Sequence, residues 1–314
     1  MELSVIIVNW NTKDLLLQCL ESLDQGGKGI EKEIFVVDNS SSDGSGTAVR
    51  KRSSEIRLIE NPVNLGFAKA NNQALSLSKG RYLLLLNPDT WVKAQAVPHM
   101  LAFMNGNPEA ALVGPQLLNA DGSKQNSIAN FPSLATELLN KSLLRWLFSK
   151  KFPGKETDCP GPIEVDSVIG ACMLVRREAV EKVGPLDEEF FLFWEETDWC
   201  HRMRKAGWKI YHIPQAEIIH FQGKSAEAEK GKARVEYYRS RYRYFKKHKG
   251  SFQSMVLFIG LFIKLSVELL FAAIACIFTI FSVKKWRTKL STYLYVMWWH
   301  LRLCPQTMGL KKNQ

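Results

Sequence analysis

Four short apolar runs divide the first ninety residues: LSVIIV (3–8), EIFVVD (33–38), IRLIE (56–60) and RYLLLLN (81–87). Runs this short and this continuous suit strands covered on both faces, as in a parallel sheet. Between the first two, TKDLLLQCLESL sets Leu15, Leu16, Cys19, Leu20 and Leu23 at helical spacing behind Thr12, which suits an N-cap. Between the last two, NLGFAKANNQALSLSKG forms a second helix, closed by Gly80. Strand-helix alternation of this kind predicts an α/β domain with a doubly wound, mostly parallel sheet and helices on both faces.

Such a sheet binds ligands beyond the carboxyl ends of its strands. Here the four runs are followed by NWN, DNSSSDGS, ENPVNLGF and NPDT, all polar and turn-forming. Further on, after the aperiodic residues 120–163, VDSVIGACMLVRREAVEKVG (165–184) predicts a strand and a helix stopped at Gly184-Pro185. FFLFWEETDWCHRMRKAGW (190–208) follows, then two short strands in WKIYHIP and AEIIHF. No internal repeat is present.

The net charge of +11 is concentrated near the C-terminus. Residues 224–250 hold ten Lys/Arg against three acids, and residues 284–314 hold seven with no acid. Between them, Met255 to Val283 is dominated by apolar residues over a length sufficient to cross a bilayer core. Basic segments flanking an apolar block favour a membrane over nucleic acid as the partner. MELSVIIVNW carries an acid where a signal peptide has a basic region, so the N-terminal part is expected in the cytosol. The six cysteines, at 19, 159, 172, 200, 276 and 304, form no CxxC pair and read as free thiols of a reducing compartment. The expected organisation is a catalytic domain over 1–223, a basic linker helix over 224–250 and a membrane-associated helical region over 251–314.

Several strand ends carry residues with chemistry. Asp38 can accept the N3 hydrogen of uracil or thymine, or close an Asx turn. Asp89, held on a turn behind four leucines, can bind Mg²⁺ or Mn²⁺ bridging a diphosphate, with Asn87 assisting. It can equally cap a helix over TWVKAQAV. Gly66 opens a helix whose N–H groups, with Asn64 and Lys69 nearby, suit an anion, although Lys69 also reads as a solvated face residue. The glycine spacing matches neither a Walker nor a dinucleotide signature.

In the 190–208 stretch the helical wheel separates three acids. Glu196, Cys200, Met203 and Gly207 share one line flanked by Trp199, while Asp198 aligns with Arg202 as a structural i,i+4 ion pair. Desolvation and the neighbouring Glu195 should raise the pKa of Glu196, as a general base requires, which makes Glu195 a second candidate catalytic residue that tunes this base or binds substrate. The helix dipole alone explains any one acid there. His220, closing AEIIH, can hydrogen-bond or give an imidazole to a metal.

Taken in order, SVIIVNWN, VVDNSSSDGS, NLGFAKANN, LLLLNPDT, GACMLVRR, FFLFWEETDWCHRMRKAGW and IIHFQGKSA resemble the family 2 glycosyltransferases with the GT-A fold, particularly the bacterial rhamnosyltransferase-like branch. The resemblance implies transfer of a sugar from a nucleoside diphosphate sugar, dTDP- or UDP-linked, to a hydroxyl of an acceptor, with inversion. It implies that Asp38 contacts the base, that Val8, Asn9 and Asn11 flank the nucleotide, and that Asn87-Pro88-Asp89 stands where the family has its DXD motif. Asp89 and His220 would be the metal ligands and Glu196 the catalytic base. Gly170, Ala171 and Trp194 would line the sugar and acceptor pocket. Asn87 in place of the first Asp removes one charge from the metal site.

A single span starting in the cytosol would carry Lys284, Lys285, Arg287 and Lys289 to the far side, against the positive-inside preference. Lys264 and Glu268 are spaced to pair inside the run. Interfacial or hairpin-like insertion is therefore expected, with a single span as runner-up and a buried hairpin or homo-oligomer contact as the soluble reading. A lipid-linked glycan acceptor at the bacterial inner membrane, met on its cytoplasmic side, fits this arrangement. Two other functions compete. A nucleotidyltransferase would release pyrophosphate and needs a Gly-rich basic N-terminal loop that is missing here; a non-catalytic nucleotide-sugar-binding scaffold would not need Asp38, Asp89, Glu196 and His220 together.

Overall fold

The computed structural model describes residues 1–140, 159–222 and 229–310. In chain order the described elements are β1 Leu3–Asn9, α1 Lys13–Gly26, β2 Lys32–Asp38, α2 Ser45–Arg52, β3 Ile56–Glu60, α3 Phe67–Leu77, β4 Tyr82–Leu86, β5 Thr90–Val92, α4 Ala96–Gly106, β6 Ala110–Leu118 and β7 Ile128–Ala129. Then come α5 Leu134–Leu138, β8 Ile163–Val165, β9 Ser167–Val168, β10 Cys172–Arg176, α6 Arg177–Val183, α7 Glu195–Lys205, β11 Lys209–His220, α8 Lys230–Phe278 and α9 Lys284–Leu301. The chain forms two compact units: Met1–Phe131, Pro153–Glu189 and Glu195–Ser225 make the first; Pro132–Phe152, Phe190–Trp194 and Ala226–Gln314 the second.

The first unit is built on one mixed sheet with strand order β3-β2-β1-β4-β10-β6-β11-β5, β8 also pairing with β11. The β3-β2-β1-β4 half is parallel, as is the β6-β11 pair, while β10 runs antiparallel to both of its neighbours. Alternation along β1 explains why its run is apolar throughout. Leu3, Val5 and Ile7 join a core with Leu16, Leu20 and Leu23 of α1 and Met100 and Met104 of α4. Ile6 and Val8 join another with Ala70 and Ala74 of α3 and Trp199 and Met203 of α7. Both faces are covered, the doubly wound arrangement expected.

Local details differ from expectation for identifiable reasons. α3 ends at Leu77, and Gly80 is needed elsewhere: a Cβ there would lie 2.4 Å from the Ser4 nitrogen, so it permits close approach to β1. Thr12 sits at the N-cap position of α1, but its hydroxyl donates to Asn9 Oδ1 rather than capping the helix. Residues 90–92 are strand β5, so Asp89 caps no helix over TWVKAQAV. WKIYHIP and AEIIHF fuse into the single strand β11, whose register shifts between Ile213 and Glu217. The stretch expected to be aperiodic contains β7, β8 and α5, the last opened by a Ser133–Thr136 capping box; its residues 141–158 lie outside the described residues.

In the second unit, α8 breaks at Gly250, whose φ of 84 is non-helical, and α9 packs on it. Tyr238, Tyr244, Phe245, Leu257, Leu261 and Leu265 form a core with Val296 and Trp299. Arg241 is buried, ion-paired to Glu137 at 3.1 Å and set over the Tyr237 ring. Lys264 and Glu268 do not use one another as expected: Lys264 donates to the Glu137 carbonyl, and Glu268 hydrogen-bonds Tyr293. Residues 224–228 of the expected linker, and Gly223 to Ala226 of the IIHFQGKSA motif, lie outside the described residues.

Candidate active site

The sheet brings the expected residues to one edge. Parallel registry places Asn9 opposite Asp38, so β1 and β2 release their chains side by side. Asn9 Nδ2 donates to Asp38 Oδ1 at 3.2 Å and to Ser41 Oγ at 3.1 Å. Asn11, at a φ of 54, accepts from the Ser42 amide, and its own amide donates to Ser41 Oγ. The DNSSSDGS loop is thus laced to the end of β1. Val8 and Asp38 are both buried.

Asn39 was not singled out by the sequence, yet it organises this corner. Its Nδ2 donates to Asn64 Oδ1 at 2.7 Å, and its Oδ1 accepts from Leu65 N and Asn61 Nδ2. Asn64 in turn accepts from the Gly66 amide, fixing the turn into α3. Gly66 needs its flexibility, with a φ of 84. Lys69 is exposed on α3. An amide directly after the strand-end Asp38 was the available signal for Asn39.

The NPD turn and the end of β11 meet because β5 pairs with β11, His220 opposite Thr90. Asp89 Oδ1 and His220 Nε2 are 3.4 Å apart, both side chains nearly buried. Gln125 fixes the imidazole. Its Nε2 donates to the His220 carbonyl and to Asn119 Oδ1, so its Oε1 is left to accept from His220 Nδ1 at 3.2 Å. In the neutral ring this puts the proton on Nδ1 and turns the Nε2 lone pair toward Asp89. Two acceptors facing each other in a buried site suit a shared divalent cation, with Gln125 as the outer partner that orients the ligand. Among the described residues no third His, Cys, Asp or Glu joins them. Gln125 lies in an aperiodic stretch and gave no sequence signal.

The antiparallel course of β10 delivers its beginning to the same edge, Cys172 opposite Leu86. The Ala171 carbonyl accepts from the Asn87 amide at 2.9 Å. Gly170 then abuts Glu196: a Cβ on it would lie 3.6 Å from the Glu196 Cβ and Cγ. Asp89 and Glu196 are therefore joined by a short path through Asn87, Ala171 and Gly170.

The three acids of α7 are indeed different from one another. Asp198 is fully buried and pairs with Arg202 at 2.8 Å; Arg202 also donates to the Val183 and Pro185 carbonyls, tying α7 to the preceding turn. Glu196, expected on the buried side, is half-buried, with Oε1 accepting from Thr197 Oγ1. The buried acid is Glu195, whose pKa is raised well above its ordinary value, first by desolvation and then by the charge of Glu196. Its Oε2 has no hydrogen-bond partner among the described residues. Burial also pushes the Cys200 thiol up to about 12, so it serves as a packed, inert group.

Trp194 belongs to the second unit, where its ring packs against Tyr244 and Tyr237 under Arg241. Phe193 and Trp194 both have positive φ, 69 and 72, immediately before α7. Bulky residues rarely adopt that conformation.

Comparison with known proteins points to one family and one fold. The family model described as glycosyl transferase family 2 matches residues 4–184. An N-acetylglucosaminyl-diphospho-decaprenol L-rhamnosyltransferase of Mycobacterium tuberculosis is 27% identical over 224 residues, 67% of this chain and 73% of that protein. A low-salt glycan biosynthesis hexosyltransferase of Haloferax volcanii is 28% identical over 227 residues, 70% of this chain and 67% of that protein. Among solved structures, a mannosyltransferase from Pyrobaculum calidifontis, in complex with GDP-Man and Mn²⁺, aligns with a TM-score of 0.57 at 16% identity, covering 96% of this chain and 86% of the other. That likeness shows the GT-A fold.

Proposed function

The chain belongs to glycosyl transferase family 2, and from that premise we propose that it moves rhamnose or a related hexose from a dTDP- or UDP-sugar to a hydroxyl of a lipid-diphosphate-linked glycan, with inversion. The acceptor class is the one for which the Mycobacterium tuberculosis relative is named, a diphospho-decaprenol-linked N-acetylglucosamine. A lipid-linked acceptor places the work at a membrane, the cytoplasmic face of the bacterial inner membrane in this reading, and α8 is the one described helix long and apolar enough to cross one.

The observation that carries the proposal is the short path from Asp89 through Asn87, Ala171 and Gly170 to Glu196. It puts a candidate leaving-group site and a candidate base on one strand-end platform. Asp38, braced by Asn9, presents a carboxylate oxygen to the N3–H of a pyrimidine, and Asn39 holds the neighbouring loop in place. Asp89 and His220 are the residues that would hold Mg²⁺ or Mn²⁺, which when bound neutralises charge on the departing diphosphate. Glu196 takes the acceptor hydroxyl proton while that oxygen forms its bond to the anomeric carbon and the bond to the diphosphate oxygen breaks on the opposite face. Glu195 stands beside it as a buried second carboxyl, whose pKa desolvation and the charge of Glu196 raise.

The test is a transfer assay on detergent-extracted protein with dTDP-rhamnose and a panel of UDP-sugars, a lipid-diphosphate-linked N-acetylglucosamine acceptor, and Mg²⁺ or Mn²⁺. Product with Glu196→Gln at the wild-type rate would remove the assigned base. Release of pyrophosphate from a nucleoside triphosphate would replace the whole reading by nucleotidyl transfer.

A further inference from the structure

The second unit presents an apolar face that its own core leaves open. On α8, Leu257, Leu261, Leu265, Ala272 and Cys276 turn inward, whereas Phe252, Met255, Ile259, Ile263, Val267, Leu270, Ile274 and Ile277 stay exposed. Their spacing of three and four residues makes one continuous stripe along one side of the helix. It ends at the turn into α9, where Phe278, Ile280 and Phe281 are 84%, 87% and 51% exposed. Directly behind this tip come exposed Lys284, Lys285 and Arg287.

The polar neighbours of α8 decide between spanning a bilayer and lying on it. Beyond the Gly250 kink the first half of α8 returns beside the apolar half, with Tyr242 on Phe258 at 5.4 Å and Glu268 beside Tyr238 and Tyr293. That first half carries Arg234, Glu236, Arg239, Arg241 and Arg243. A span over Met255–Val283 would draw these charges to hydrocarbon depth beside it, which is costly. A helix whose apolar arc is exposed on one side, and whose opposite side is covered by protein, instead lies in the interfacial plane.

We propose that α8 and the α8–α9 turn form an in-plane docking surface for an anionic lipid bilayer, the apolar stripe entering the acyl boundary and Lys284, Lys285 and Arg287 meeting lipid phosphates. This deepens the reading of a membrane-borne acceptor by giving the mode and polarity of attachment. It is tested without donor or acceptor, so it fails or holds apart from the transfer assay.

Full-length protein is mixed with vesicles of phosphatidylglycerol and phosphatidylethanolamine, or of phosphatidylcholine alone, and the bound fraction is measured by sedimentation. Stronger binding to the anionic vesicles, weakened by salt, is expected. The triple variant Lys284→Glu/Lys285→Glu/Arg287→Glu should lower it by at least about tenfold, and Ile263→Asp should do the same on both vesicle types. Circular dichroism and thermal unfolding of both variants should match wild type. Equal binding to neutral vesicles, or unchanged binding by both variants, overturns the proposal. So does a dimer that Ile263→Asp converts to monomer without loss of vesicle binding, since a second copy would then cover the stripe. In sealed vesicles carrying external protein, Lys285→Cys should react with an impermeant maleimide as readily as Lys246→Cys; labelling at 285 only after lysis would show a span.

Discussion

His220 Nε2 faces Asp89 Oδ1 across 3.4 Å, although 131 residues of chain separate them, because the β5–β11 ladder sets His220 opposite Thr90. The pair is held in a partly closed choice: Nδ1 is committed to Gln125, so Nε2 is left for whatever binds beside the carboxylate. Asp89→Asn should abolish metal-dependent transfer by at least about a hundredfold, as loss of a stabilising charge at a leaving group does. Gln125→Ala should leave the fold intact and raise the Mn²⁺ concentration for half-maximal activity by about 10–100-fold, the usual effect of an outer-sphere partner. Titration of activity against Mn²⁺ after chelation separates the two, because excess metal rescues Gln125→Ala and not Asp89→Asn.

Glu196 should behave as a base. Glu196→Gln keeps the size and most hydrogen bonds of the side chain, so donor affinity measured by calorimetry should stay near wild type while turnover drops by about 10²–10⁴. Gly170→Ala tests the same place from the other side. The added methyl sits at ordinary contact distance, 3.6 Å from Glu196 carbons, so the melting temperature should hold. The space beside the carboxylate is reduced, and kcat should fall by about tenfold with donor KM unchanged, a split characteristic of interactions made in the transition state.

Asp198 has the opposite character. It is fully buried and paired with the half-buried Arg202, whose remaining donors hold the Val183–Pro185 turn. Asp198→Ala takes the buried carboxylate partner from the half-buried Arg202 guanidinium and should cost about 1–3 kcal/mol in urea unfolding. Any remaining folded fraction should bind donor normally, which distinguishes this structural loss from a catalytic one.

Much of this was legible in the sequence because it depends on local periodicity. The i,i+4 spacing found the Asp198–Arg202 pair, and continuous apolar runs found β1 to β4. Polar residues at strand ends found Asn9, Asp38, Asn87 and Asp89, since parallel strands must release their chains at one edge. Gln125 was not legible: its partner is 95 positions away and its own segment has no period. The burial order of Glu195 and Glu196 was misjudged for a related reason. Glu195 lies one helical turn before Asp198 and Trp199, both fully buried, so this line of α7 faces inward as deeply as the Cys200 and Met203 line on which Glu196 sits. Gly80 was misread as a helix stop because a close approach to Ser4 leaves no mark in sequence.

Glu195 makes a prediction about pH. Its folded-state pKa is raised from an ordinary value near 4.5, chiefly by burial and secondarily by the Glu196 charge. Below the ordinary value the group is protonated in both folded and unfolded chains and contributes no pH dependence. As pH rises, the unfolded chain releases the proton first, so the folded state binds more protons and stability declines until the folded pKa is passed. Glu195→Gln removes this titration while retaining the volume. Its melting temperature relative to wild type should therefore rise between pH 4.5 and neutrality, with the difference smallest at pH 4. Thermal unfolding across that range checks the sign: a wild-type advantage that grows with pH would mean that the Glu195 carboxylate is stabilised in the fold and that its pKa is not raised by burial.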